Sequence, residues 1–181
     1  MTQEYRRKTK VGRFGEAVVF EHLSKLGYRC ERLGDYFPCF DIKAHKDGQL
    51  FMVPVKARNH TRHDGDEKKD CYNLFYPPKK GGDPEAIVKK AEEIAKLHRA
   101  TRMMWTAVRV NASEQRYDIY WGFVDELPNK KRIPMGPSDL SRHKTLAVDV
   151  FDPRIDPRWS NVRRRLVIAT EPIADAAINL S

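Results

Sequence analysis

The sequence predicts an α/β fold, a mixed central sheet flanked by helices. Three observations predict it. Residues 11–27 carry the apolar spacing of a helix. Residues 40–57 read as a β-hairpin around Asp47-Gly48, the preferred two-residue turn. A second helical pattern at about 84–100 is followed by strand patterns at 102–110 and 116–124. With a short strand at 28–33, the order is helix, three strands, helix, two strands. A chain of 181 residues suits one domain, and two full domains would be a squeeze. Residues 1–10 read as a basic tail, 11–170 as the domain, and 171–181 as a C-terminal tail.

In the first helix Val11, Phe14, Val18, His22 and Leu26 follow the helical period, widened by Val19 and Leu23, and Gly27 is a natural stop. In the hairpin, Lys46 faces Gln49, and counting outward pairs Ala44 with Phe51, Ile42 with Val53 and Phe40 with Val55. These three apolar pairs make a core face. The other face pairs His45 with Leu50, Lys43 with Met52 and Asp41 with Pro54, with Lys56 beside them. A one-residue slip would scramble the apolar pairs, so the pattern fixes the register.

Residues 58–82 form a long polar connection holding Pro77-Pro78 and Gly81-Gly82, with an inner strand signal at 71–76. Asp83 is suited to cap the second helix and Pro84 to open it. Ile87, Ala91, Ile94, Ala95 and His98 make its apolar face. Asn111-Ala112-Ser113 turns between the next two strands. Residues 125–144 read as a connector, and 145–151 and 162–169 as further strands.

Lysine and arginine outnumber acidic residues by enough to give a formal charge of +9, which favours polyanionic partners through counterion release. No apolar run approaches the roughly 20 residues of a membrane helix, and the polar N-terminus is not a signal peptide. Cys30, Cys39 and Cys71 are odd in number and widely spaced, as free thiols in a reducing compartment would be. These features point to a cytoplasmic protein.

The hairpin register sets an acid, Asp41, diagonally across from an amine, Lys56, on one sheet face. A carboxylate can hold a hard divalent cation, and a lysine can orient water or stabilise negative charge beside it. GRFGEAVVFEHLSKLGY, then Asp41, the hairpin and VKAR resemble the core of the PD-(D/E)xK nuclease superfamily. The nearest likeness is to its Holliday-junction-resolvase-like and restriction-endonuclease-like branches. The likeness covers residues 12–58, with looser support to about 124. It implies a restriction-endonuclease-like αβββαβ core and metal-dependent hydrolysis of DNA. Glu16, Asp41 and Lys56 would be catalytic, with Glu16 and Asp41 on magnesium or manganese. Arg13, Lys43 and Arg58 would contact nucleic acid, and many relatives work as homodimers.

The residue two before the lysine should carry a carboxylate or amide, and here it is Pro54. Three outcomes follow. The missing acid is replaced from the second helix (Glu85, Glu92 or Glu93); the metal is held by Asp41, Glu16 and a backbone carbonyl; or the fold survives as an inactive module for nucleic-acid binding or assembly. Plainer readings stand beside these. Asp41 and Lys56 form a surface ion pair, and Glu16 answers the helix dipole. His60, His63 and Cys71 fit a polar loop better than a zinc site. Lys130-Lys131-Arg132 and Arg163-Arg164-Arg165 are short basic clusters open to phosphate. Trp159 stacks on a base or caps the core, and Tyr72, Phe75 and Tyr76 pack.

Overall fold

The computed structural model describes residues 10–60, 71–75 and 82–159. The first helix, α1 (Lys10–Lys25), buries Phe14, Val18, Val19 and Leu23. Gly27 ends it with φ +85°, and the Tyr28 N–H returns to the Leu23 carbonyl at 3.1 Å. The left-handed turn that glycine tolerates is what stops the helix.

Three strand segments follow: β1 (Arg29–Arg32), β2 (Ile42–Lys46) and β3 (Gln49–Val53). The β2–β3 pairs are Ile42–Val53, Lys43–Met52, Ala44–Phe51, His45–Leu50 and Lys46–Gln49, as the hairpin pattern predicts. Asp47 and Gly48 both take positive φ at the turn, the geometry that matches strand twist. One predicted pair fails. Cys39 has φ +70° and redirects the chain, so Phe40 packs with the cluster on the opposite face from Val55.

Beyond Pro54 the same strand continues as β4 (Val55–Asn59). Both β3 and β4 lie parallel to β6 (Arg102–Asn111) in one register, Met52 beside Met103 and Val55 beside Thr106. The Pro54 carbonyl still accepts the Thr106 N–H at 3.1 Å. Residue 54 faces β6, so the N–H that proline lacks leaves one gap in that ladder, where the pairing with β6 divides between β3 and β4. β7 (Arg116–Phe123) and β9 (Lys144–Val150) extend the sheet antiparallel, giving the order β1-β2-β3/β4-β6-β7-β9. The fold is α/β with a mixed central sheet.

The second helix, α2 (Pro84–Leu97), connects the parallel segments. Asp83 caps it by accepting the Glu85 N–H, with Pro84 opening the first turn. Its buried stripe is Ile87, Val88, Ala91 and Ala95, while His98 is the C-cap and not a core residue. The two helices cover opposite sheet faces. Met104, Val108 and Val110 of β6 join the α1 cluster, and Trp105 and Ala107 join the α2 cluster. The predicted 125–144 connector holds more structure than its composition suggests. A short strand, β8 (Arg132–Pro134), pairs with β5 (Cys71–Asn73), and a single helical turn, α3 (Pro137–Leu140), follows. The strand expected at 162–169 lies outside the described residues. Among the described residues no helix is long and apolar enough to cross a membrane.

Candidate active site where the sheet divides

β2 begins at Ile42, opposite Val53, whereas the neighbouring strand runs on to Asn59. Past Pro54 the β4 segment is therefore left with one partner among the described residues, β6. Thr106 donates to Pro54, and His60 donates to Val110. In a parallel ladder this alternation turns the peptide groups of residues 54, 56, 58 and 60 toward β6, and those of Val55, Ala57 and Asn59 toward the open side. A notch results, with β4 as its floor.

Asp41 sits at the mouth of this notch. Its N–H donates to the Val53 carbonyl at 3.0 Å, the last bond of the hairpin ladder. Its carboxylate Oδ2 accepts the Val55 N–H at 2.7 Å, filling the place that a further β2 residue would take. A carboxylate and the first residue of β4 are thereby locked together, one position before Lys56. Val55 and Ala57 pack toward α1, so Lys56 projects to the opposite face, as does Arg58. The Cys39 thiol reports the company on that face. Burial pushes it up, the positive charges of Lys90 and Lys56 pull it back, and Asp41 pushes it further up. Asp41 and Lys56 thus act on one thiol from the same region.

Glu16 approaches from α1. A Cβ on the neighbouring Gly15 would stand 2.5 Å from the Ala57 Cβ, so α1 touches β4 at this point. At about 100° per residue, Glu16 lies about 40° around the helix from Phe20 and about 160° from Phe14. Phe20 sits under Arg32 of β1, while Phe14 packs on Tyr117, Phe151 and Trp159. Glu16 therefore points to the β1–β2 side, where the gap lies at this level of β4. It is partly buried.

The other predicted residues divide. Arg58 is exposed, with its guanidinium 4.9 Å from the centre of the Tyr72 ring. Tyr72 is buried and bonds His60 Nε2 at 2.8 Å, so His60 and Tyr72 are packing partners. Lys43 lies 3.9 Å from Glu31 on β1, away from the notch. Arg13 lies on α1, partly buried. Of the proposed replacement acids, Glu92 pairs with Lys130 at 2.7 Å and Glu85 pairs with Lys131, and Glu93 is exposed. These pairs also occupy two cations of the 130–132 cluster. Trp159 caps the core, 5.1 Å ring to ring from Phe14. His63, Tyr76 and Arg163 to Arg165 lie outside the described residues.

Asp41, Glu16 and the Val55 carbonyl offer oxygen donors, the type a hard divalent cation takes. Among the described residues no three His, Cys, Asp or Glu side chains gather closely enough to hold a metal ion by themselves. A groove outside α1, lined by Ala17, Phe20, Glu21, Arg32 and Arg158, lies elsewhere. Its Arg158 is already paired with Asp156 and Glu21. The value of β4 as a site floor was not readable from sequence, because it depends on where β2 stops. Compared with known protein families, with curated proteins and with solved structures, the chain matches none.

Proposed function

We propose that the notch is a phosphodiester-hydrolysing site of the PD-(D/E)xK, restriction-endonuclease-like type, acting on DNA. The observation that carries this reading is the Asp41 carboxylate held on the Val55 N–H, one residue before Lys56. Asp41 supplies charge at the notch, the Val55 carbonyl faces the same open side, and Glu16 flanks it. Magnesium or manganese fits this oxygen set with water completing the shell, since Mg²⁺ is commonly held by one or two carboxylates plus waters. Such an ion, when bound, polarises the phosphoryl group and acidifies a coordinated water. Lys56 holds and orients the attacking water and stabilises the negative charge that develops on the phosphoryl oxygens. The backbone carbonyl of Val55 takes over part of the role that a side chain at position 54 cannot fill.

Cleavage of plasmid and branched DNA with Mg²⁺ or Mn²⁺ tests this. Wild type cuts, and Asp41→Asn and Lys56→Ala each lose about 10²-fold or more of the rate, the scale of one preorganised electrostatic group. Wild-type inactivity on every form opposes the reading.

Pro54 favours a second reading. It is buried and carries no ligand atom, and the acids of α2 at 85 and 92 are committed to lysines. On this reading the fold serves as an inactive binding or assembly module. DNA binding that is sensitive to salt but unaccompanied by cutting is its signature.

A further inference from the structure

Past the end of α2's cover, the sheet face that bears Lys56 carries two more cations side by side. Arg58 of β4 and Arg109 of β6 are register partners on adjacent parallel strands. Both project to the α2 face: Arg58 lies over Tyr72, and Arg109 alternates with Trp105 and Ala107 of the α2 cluster. Adjacent strands run about 4.8 Å apart, so the two guanidinium stems start side by side. Like charges directly opposite each other on a sheet oppose folding.

The surrounding acids do not resolve this. Asp118 is the β7 register partner of Arg109, but it is paired with Arg116 at 2.9 Å. No carboxylate among the described residues lies within ion-pair distance of either Arg58 or Arg109, in contrast to several arginines elsewhere in the fold. Arg102, Arg116, Arg154 and Arg158 each hold an acid at 3.0 Å or less. The Arg109 Nε–H is buried and has no hydrogen-bond partner. The Tyr120 hydroxyl stands beside it, its pKa raised mainly by burial while Arg109 works in the opposite direction. Two guanidiniums without acids, one of them with an orphan donor, describe a binding surface prepared for an anion.

We infer that Arg58 and Arg109 together seat one backbone phosphate of a nucleic acid strand. Guanidinium forks match phosphate oxygens in two-point hydrogen bonds, and weak hydration lets them sit side by side when an anion bridges them. The position favours a phosphodiester backbone over a free phosphate. Lys56 is two residues upstream of Arg58 on the same strand and face, about 6.6 Å along β4. A strand seated on the arginine pair would therefore lead toward the notch. This inference names the substrate contact of the proposed site and rests on that reading for its direction. Its test does not require cleavage.

The test is binding of a labelled mixed-sequence DNA duplex, followed by fluorescence anisotropy in EDTA over a range of salt. Arg58→Gln and Arg109→Gln are each expected to weaken binding about tenfold and to lower the log–log salt slope by about 0.9, one phosphate contact. Because both hold the same phosphate, the double variant should lose little more than the worse single one. Arg109→Lys should keep the slope and recover part of the affinity, which separates lost charge from lost folding. Arg154→Gln, whose partner is Asp152, removes the same formal charge elsewhere and should stay within about twofold of wild type. Thermal melts confirm that each variant is folded, and Arg58→Gln alone decides if Arg109→Gln is not. The inference is overturned if the arginine variants bind like Arg154→Gln, if the double variant loses the sum of both singles, or if wild type does not bind DNA. An effect of inorganic phosphate alone, with DNA binding unchanged in the variants, overturns it as well. Wild-type binding that depends on the pair, without any cutting, supports this inference while removing the hydrolytic reading.

Discussion

On the proposed reading Asp41 does two jobs at one position, and the two can be separated by substitution. Its carboxylate satisfies the Val55 N–H, a backbone donor left without a strand partner because β2 reaches no further than Ile42. A partly buried N–H that loses its acceptor costs about 1–3 kcal/mol. Asp41→Ala should therefore destabilise the fold by about 1–3 kcal/mol in urea unfolding. Asp41→Asn keeps an acceptor oxygen and should stay within about 1 kcal/mol of wild type while losing the charge. Equal stability losses for the two variants would show that the bond to Val55 contributes little. This residue was legible in the sequence as an acid facing Lys56, because the Asp47-Gly48 turn sets the count. Its backbone bond was not legible, since it depends on β2 beginning only at Ile42, one residue after Asp41. Lys43 looked equivalent by alternation, yet its neighbour Glu31 on β1 draws it away. Nothing in the local pattern around Lys43 announces a pairing with β1.

At the scale of elements, the close approach of α1 to β4 shapes the notch from one side. Gly15 makes it possible, since a methyl group there meets the Ala57 Cβ. Gly15→Ala is expected to destabilise by about 1–3 kcal/mol through overpacking and to reduce any activity by displacing Glu16. Chemical denaturation checks the first effect, and unchanged stability would mean the helix rides further from the strand than described. Gly122 plays the same role against the Trp105 ring, whose Cζ2 would stand 2.8 Å from an added Cβ. The elements that were legible carry strong local signals. The hairpin has matched apolar pairs, α1 has a helical stripe, and α2 has Asp83 and Pro84 at its start. Those that were missed lack one. β8 is three residues, Arg-Ile-Pro, defined only by its pairing with β5, which lies some sixty positions earlier. Phe40 was misplaced because a positive φ at Cys39 is not visible in residue type.

Across the whole molecule, the face opposite α2 is closed by a polar network beneath α1. His22 Nε2 and the Tyr117 hydroxyl lie 3.1 Å apart, and Tyr117 donates to Asp149 at 3.1 Å. Arg158 reaches back to Glu21 at 2.7 Å, tying the segment after β9 to the first helix. The His22 pKa is lowered, chiefly by burial and then by Lys25, with Asp149 opposing. Its folded value lies below the ordinary 6.5, so the unfolded chain takes up the proton first as pH falls. The Asp149 pKa is also lowered, first by the Val150 N–H, so its contribution is full above the ordinary 3.8 and is lost as pH falls through the lower folded value. Both groups make the protein less stable in acid, in two windows. Stability should begin to fall below about pH 6.5, and His22→Gln should flatten that first decline while leaving the one below pH 4. Unfolding midpoints across this range check it. A stability that rises between pH 7 and pH 5.5 would contradict the assigned direction.

The central claim is that Asp41 and Lys56 form one site at the break in the sheet, and a double-mutant cycle on DNA cleavage tests it most directly. Groups that act as a unit are strongly non-additive. With Mg²⁺ or Mn²⁺ present, the account predicts measurable cutting by wild type, a large loss in Asp41→Asn and in Lys56→Ala, and a double variant no slower than the worse of the two. Losses that simply add, or cutting untouched by either change, would contradict it.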